Sequence, residues 1–184
     1  MQYAIPLPVQ ETLTSLEKAG FEAYIVGGCV RDILLGREPK DWDITTNARP
    51  EQIQELFPDH VYENEFGTVG VKVARFHPAT PAKHEHDIIE VTTYRTETGY
   101  SDHRRPDQVS FVTSLAEDLA RRDFTINAIA ATIDQETNGE ASSSTADCSL
   151  VLADPFGGQR DLKDRIIRAV GDPDQRFAED ALRM

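Results

Sequence analysis

Residues 27–45 read Gly27-Gly28-Cys29-Val30-Arg31-Asp32-Ile33-Leu34-Leu35-Gly36-Arg37-Glu38-Pro39-Lys40-Asp41-Trp42-Asp43-Ile44-Thr45. Just before them, Phe21 to Val26 is a short apolar run rich in β-formers and reads as a strand. The glycine pair then enters a short helix over Val30 to Leu35, which Gly36 stops. Trp42 to Thr46 is the next strand. On a strand, residues two apart face the same side with Cα atoms roughly 6–7 Å apart, so Asp41 and Asp43 form an acidic pair.

Two carboxylates so placed repel unless a cation sits between them. Mg²⁺ suits the pair, because it takes carboxylate oxygens and fills its other positions with water and phosphate. A solvated turn is the competing reading, and the glycine turn upstream tips the balance to the metal. That turn lacks the GxGxxG of a dinucleotide fold and the Lys-Ser/Thr ending of a P-loop. It offers backbone N–H groups at a helix start, an anion site by geometry and dipole. Arg31, one turn into the helix, is placed to reach the same phosphates, and Asp32 to orient it. Taken alone, GGxxRD also describes a purely structural turn. With the aspartates, the stretch implies a bound nucleoside triphosphate whose α-phosphate is attacked.

Outward from this centre, Pro8 to Lys18 is an amphipathic helix with Val9, Leu13 and Leu16 at helical spacing, and Pro50 opens another that buries Ile53, Leu56 and Phe57. Gly67 to Phe76 alternates with Val69, Val71 and Val73 on one face, and His86 to Tyr94 is its expected antiparallel partner across a loop from His77 to Lys83. Leu115 to Ala131 reads as helical with a break near Asp123, a strand starting within Ala128 to Ile133. Gln135 to Ser149 reads as a polar surface loop, Ile166 to Val170 as a strand, and Pro173 as the start of a helix running to Met184. The fold class is α+β, a small mixed or antiparallel sheet with helices packed on it.

Further residues carry possible chemistry. Glu90 sits within the β-forming run Ile88-Ile89-Glu90-Val91, where a charge needs a metal, an arginine or the solvent face of an edge strand. Arg121-Arg122-Asp123-Phe124-Thr125-Ile126-Asn127 holds polar groups over an apolar base, and Asp123 with Asn127 suits a pair of ribose hydroxyls; a helix with a solvated charged face is the alternative. Near the end, Glu179, Asp180 and Arg183 share a helix face, as ordinary salt-bridge partners or as a base reader. A carboxylate beside a guanidinium matches the amine and ring nitrogen of cytosine and adenine, and mismatches guanine and uracil. His84 and His86 read as a solvated loop, with no zinc expected.

Bulk properties narrow the class. Acidic residues outnumber basic ones by 32 to 19, giving a net charge of −13. A nucleic-acid-gripping surface is basic, so either metal ions carry the substrate charge or the gripping surface lies elsewhere. No apolar run approaches the roughly 20 residues of a membrane span, and no export signal opens the chain, so a cytoplasmic protein with no membrane partner is expected. Cys29 and Cys148 lack CxxC spacing and read as reduced thiols.

Five segments in order, GGCVRDILLGREPKDWDIT, EVTTYRTETGYSDHRRPDQVSF, RRDFTINAIA, DPFGGQRDL and RFAEDALRM, resemble the class II tRNA nucleotidyltransferase and poly(A) polymerase family of the polymerase-β-like superfamily. The resemblance implies a catalytic head over residues 1–172, with 173–184 beginning a neck helix. It implies Mg²⁺ held by Asp41 and Asp43 with Glu90 as the third catalytic carboxylate, and phosphate contacts from Gly27, Gly28 and Arg31. Ribose contacts fall to Asp123 and Asn127, and base selection to Glu179, Asp180 and Arg183. The implied partners are CTP, ATP and the tRNA 3′ end, the last through domains beyond this chain. Thr96 to Val109 resembles the loop associated with A addition, which CC-adding members tend to lack. Gly67-Thr68-Val69 before an alternating strand resembles the tRNA enzymes more than bacterial poly(A) polymerases. CCA addition is therefore expected, with A-only addition or poly(A) synthesis as the alternatives. A non-catalytic nucleotide- or RNA-binding module would not need all three carboxylates. With the family's further domains absent from the sequence, weak nucleotide binding and little addition are expected of this chain alone.

Overall fold

The computed structural model describes residues 2–62, 66–76, 86–101, 106–134 and 145–180. In chain order its elements are β1 (Gln2–Pro6), α1 (Leu7–Lys18), β2 (Ala23–Val26), α2 (Gly28–Leu34), β3 (Asp43–Thr46), α3 (Pro50–Leu56), β4 (His60–Tyr62), β5 (Thr68–Ala74) and β6 (His86–Thr93). There follow β7 (Arg95–Thr98), β8 (Gln108–Phe111), α4 (Leu115–Ala120), a 3-10 turn (Thr125–Asn127), β9 (Ala130–Ile133), β10 (Thr145–Ala153), α5 (Gly158–Asp164) and α6 (Pro173–Glu179).

Eight strands form one mixed sheet in the order β1-β10-β9-β2-β3-β6-β5-β4, and β7 and β8 form a separate antiparallel ribbon. Every neighbour in the large sheet is antiparallel except β3 and β6, which run parallel. The sheet is mixed, as expected, and larger than the sequence implied.

Alternation decides which face is which. Along β6, Asp87, Ile89, Val91 and Thr93 are buried while His86, Ile88 and Glu90 are exposed. Ile25, Ile44, Ile89 and Val91 share the main core with α1, α2 and α3, and each is at most 1% exposed. Burying a side chain of that size contributes roughly 1.5–3 kcal/mol, so this face holds the domain together. A second, smaller core of Val26, Leu119, Ala128, Ala130 and Val170 lies with α4. β3 turns Ile44 to the main core and Asp43 and Thr45 the other way, toward α4.

Several sequence expectations need correction. The helix expected over Leu115 to Ala131 stops at Ala120, close to the expected break near Asp123, and only a 3-10 turn follows it. Beyond Ala120, Asp123 takes the Phe124 N–H with its own carboxylate, and Thr125 N–H donates instead to the distant Arg168 carbonyl, so the helical ladder loses its donors. The polar stretch expected as a loop to Ser149 is a strand from Thr145, because β1 pairs with it from Thr145 to Ser149 and β9 carries the pairing on from Leu150. Ile166 to Val170 is no strand: Ala169 makes a single bridge to Phe124, and Ile167 is 74% exposed. The last helix ends at Glu179, with Asp180 extended, so Glu179 and Asp180 do not share a helix face. The Asp172 cap and Pro173 start that helix, and seven residues close too few internal bonds to hold its end. Arg183, His84 and the expected loop from His77 to Lys83 lie outside the described residues, as does 135–144. His86 opens β6 and is exposed.

Candidate functional site

The sheet register brings the glycine turn and the aspartates together. β2 ends at Val26, which pairs with Ala130 of β9, while Ile25 pairs with Ile44 of β3. Gly27 therefore lands beside the first residue of β3, Asp43, and beside the segment entering β9. Its φ of 81° and ψ of −132° suit only glycine. A Cβ there would lie 3.1 Å from Arg122 Nη1 and 3.8 Å from Asp43 Oδ2. The Gly27 N–H donates to the Ile129 carbonyl at 3.3 Å, tying the turn to β9.

Across the parallel pairing, Asp43 stands in register with Glu90. Paired residues on neighbouring strands project to one face, so two of the three candidate carboxylates are neighbours although far apart in sequence. Burial pushes the Asp43 carboxyl above the usual carboxylate range; Arg122 opposes this and Asp41 adds to it. The first two aspartates thus interact electrostatically, as the DxD spacing implied. Among the described residues, no three His, Cys, Asp or Glu side chains gather closely enough to enclose an ion alone. An oxygen-only pair of neighbouring carboxylates suits a hard divalent cation whose remaining positions go to water and phosphate. The donor chemistry fits Mg²⁺.

On the other side of the turn, Arg31 donates from Nε to Asp32 Oδ1 at 2.9 Å and from Nη1 to Asn127 Oδ1 at 2.9 Å. Asn127 in turn donates to both oxygens of Asp123, at 3.1 and 3.3 Å. The phosphate and ribose candidates therefore form one connected chain, and Asp32 does orient Arg31.

The residues that sequence reasoning passed over lie behind this front. Asp118 of α4 is fully buried. Its carboxylate accepts from Thr45 Oγ1 on β3, the Arg95 N–H at the start of β7, and Arg121 Nε and Nη2, and it pairs with Arg122. Burial would raise its pKa, yet Arg121 and Arg122 win and hold it below the ordinary value. Arg122 carries this charge onward to Asp43, and burial weakens its own hold on its proton. Arg121 and Arg95 both pair with Glu97 of the ribbon at 2.8 Å. Behind Asn127, Asp161 accepts from Thr125 Oγ1 at 2.7 Å and is clamped by Arg168, while Gly158 lies directly against the Thr125 carbonyl. A signal existed for Asp118: it follows Leu115 by three residues and precedes Leu119, on the apolar stripe of its helix.

Of the expected base readers, Glu179 is tied to Arg176 Nη1 at 2.8 Å. Arg176 also donates to the Val170 and Ala120 carbonyls, fastening α6 to the end of α4. Glu179 and Gln175 line one wall of a cleft of about 420 Å³ whose other wall is Glu97 to Tyr100 of the ribbon. Residues 102–105, at the tip of the expected A-addition loop, lie outside the described residues. Both cysteines are buried and neither is in a disulfide, and burial pushes the Cys29 thiol up to about 11. No helix among the described residues is long and apolar enough to cross a membrane.

Comparison with known proteins identifies the family. Residues 23–168 match the model of the poly A polymerase head domain. The CCA-adding enzyme of Lactobacillus helveticus is 48% identical over 178 residues, covering 97% of this chain and 38% of that protein. The Bacillus stearothermophilus CCA-adding enzyme in complex with CTP superposes with a TM-score of 0.71 at 39% identity, over 96% of this chain and 36% of that one. A tRNA nucleotidyltransferase complexed with a primer tRNA and an incoming ATP analog gives 0.63 at 34% identity, over 94% and 42%. The chain thus spans about two fifths of the length of these relatives.

Proposed function

The chain belongs to the poly A polymerase head-domain family, and on that premise we propose that it is the catalytic head of a CCA-adding tRNA nucleotidyltransferase. Residues 1–172 are the head, and the segment from Pro173 begins the neck. The substrates are CTP, ATP and the 3′ end of a cytoplasmic tRNA. The observation that carries the reading is the meeting of Asp43, its register partner Glu90, and the Gly27 turn at one end of the sheet.

In the reaction, the tRNA 3′-oxygen bonds to the α-phosphorus while the bond to the β-phosphate oxygen breaks and pyrophosphate leaves. Asp41 and Asp43 would hold Mg²⁺, which would offset the charge on the phosphates and make the hydroxyl more acidic. Asp43 and Glu90 present the carboxylate face on which the hydroxyl gives up its proton. Gly27 and Gly28 leave room for phosphate against the start of α2, where Arg31 supplies positive charge. Arg122, buried beside Asp43 and Gly27, balances the carboxylates from behind. Asp123 and Asn127 mark the sugar end. Glu179 lines the cleft facing the ribbon, and selection of cytosine and adenine falls to it with Asp180 and Arg183. Holding the reactants in line is the main catalytic work of such a site.

The test is calorimetric titration of the chain with CTP, ATP, GTP and UTP in Mg²⁺, with Asp43→Ala alongside. Binding of CTP and ATP above GTP and UTP, lost in Asp43→Ala, is the expected result. Equal binding of all four would remove base selection from Glu179, Asp180 and Arg183. Binding unchanged by Asp43→Ala would remove the metal from that residue.

A further inference from the structure

We infer that Asn127 is a positioning residue whose amide locks the guanidinium of Arg31 to the carboxylate of Asp123, so that the phosphate end and the sugar end of the site are held as one unit. The inference rests on the nucleotide-binding reading above and concerns how that site is organised.

Both ends of the Asn127 amide are committed to charged groups. Its oxygen accepts from Arg31 Nη1 at 2.9 Å, and its nitrogen donates to Asp123 Oδ1 at 3.1 Å and Oδ2 at 3.3 Å. A guanidinium only donates and an ionised carboxylate only accepts. The amide therefore has one workable orientation, since a flip would set donor against donor and acceptor against acceptor. Charge-assisted bonds of this kind are among the stronger ones in proteins.

Each partner is braced from its far side as well. Arg31 Nε is taken by Asp32 at 2.9 Å, which leaves Nη2 facing the glycine turn, 3.6 Å from where a Cβ on Gly28 would stand. Asp123 Oδ1 also accepts the Phe124 N–H at 2.7 Å. The turn carrying Asn127 is pinned by Thr125 to Asp161 and by its own N–H to the Phe124 carbonyl. Asp123 thus keeps capacity to accept from a sugar hydroxyl. A sugar hydroxyl reaching Asn127 would meet an amide already engaged at both ends by charged partners. Direct ribose contact falls to Asp123, with Asn127 behind it as the link.

The experiment titrates the whole chain with CTP and 2′-deoxy-CTP in Mg²⁺, for the unaltered protein, Asn127→Ala and Arg31→Gln, with a thermal melt of each. Asn127→Ala is expected to weaken 2′-deoxy-CTP about tenfold, the loss of one charge-assisted bond's worth of ordering, and CTP at least as much. Arg31→Gln, although at the phosphate end, is expected to lower the preference for CTP over 2′-deoxy-CTP, because Asp123 loses its brace. An Asn127→Ala protein that binds 2′-deoxy-CTP as the unaltered chain does would overturn the inference in favour of a direct sugar contact. So would a ribose preference untouched by Arg31→Gln, which also decides the matter should Asn127→Ala fail to fold. Failure of the unaltered chain to bind either nucleotide would instead sink the nucleotide-site reading on which the inference stands.

Discussion

Replacing Asp118 by asparagine keeps the size of the side chain and removes its charge, at a position with no exposure. One carboxylate oxygen takes the Arg95 N–H and two Arg121 nitrogens; the other takes Thr45 Oγ1 and lies 3.5 Å from Arg122 Nη2. Whichever way the new amide turned, its NH₂ would face donors on one side. Arg121 would keep Glu97, but Arg122 would be left buried with Asp43 as its nearest counter-charge. Breaking a buried ion pair by removing one partner costs about 3–5 kcal/mol, and the surviving Arg121–Glu97 pair places Asp118→Asn near the lower end, about 3 kcal/mol. For a chain of this length that is a fall in Tm of about 6–12 °C. The loss has a pH signature. The folded pKa of Asp118 is depressed below its ordinary 3.8. Its stabilisation is therefore complete above that value and disappears as pH falls through the folded pKa. Calorimetric melts from pH 7 downward should show a gap between the two proteins that is constant near neutrality and narrows below about 3.8. A gap under about 1 kcal/mol at pH 7, or one that does not narrow in acid, would refute the reasoning.

Other consequences are as direct. Gly158→Ala would drive a methyl into the Thr125 carbonyl, a backbone atom that cannot swing aside; a loss of about 3 kcal/mol in urea denaturation is expected, at the upper end for overpacking. Gly27→Ala forces an L side chain to a φ of 81° with Arg122 at 3.1 Å, and should cost about 1–3 kcal/mol and weaken nucleotide binding in the same titrations. Tyr94→Phe removes a hydroxyl that donates to Glu22 Oε2 at 3.1 Å, and should lower stability by about 1 kcal/mol without changing nucleotide affinity. A thiol-disulfide reagent at pH 8 should label neither Cys29 nor Cys148 in the folded chain and both in denaturant, since both are buried and Cys29 holds its proton to about 11.

What the sequence disclosed was what short spacings carry: Gly27 opens the turn into the helix that holds Arg31, and Asp43 begins β3 two residues after Asp41. The amphipathic α1 and alternating β5 were legible for the same reason: one buried face imposes its period on the residues. Asp118 was not, because its importance comes from β3, β7 and its own helix converging on one carboxylate. β10 was hidden by Thr145, Asp147 and Ser149, polar residues in a strand that two neighbours hold by its backbone. The helix predicted through Arg121 to Ala131 failed where the Asp123 carboxylate took the Phe124 N–H and the Arg168 carbonyl took the Thr125 N–H, donors that an isolated helix would have used internally.

The parallel pairing of β3 with β6 sets the order in which this molecule becomes competent. Antiparallel neighbours can close through a short turn, whereas parallel ones need a long connection; here α3, β4 and β5 intervene before Glu90 reaches Asp43. The entropy of closing that loop is spent before the carboxylates meet. A refolding chain would regain helix and hairpin signals while still unable to hold a nucleotide. The Asp43–Glu90 face is thus a reporter of completed topology, and no fragment ending before β6 contains it.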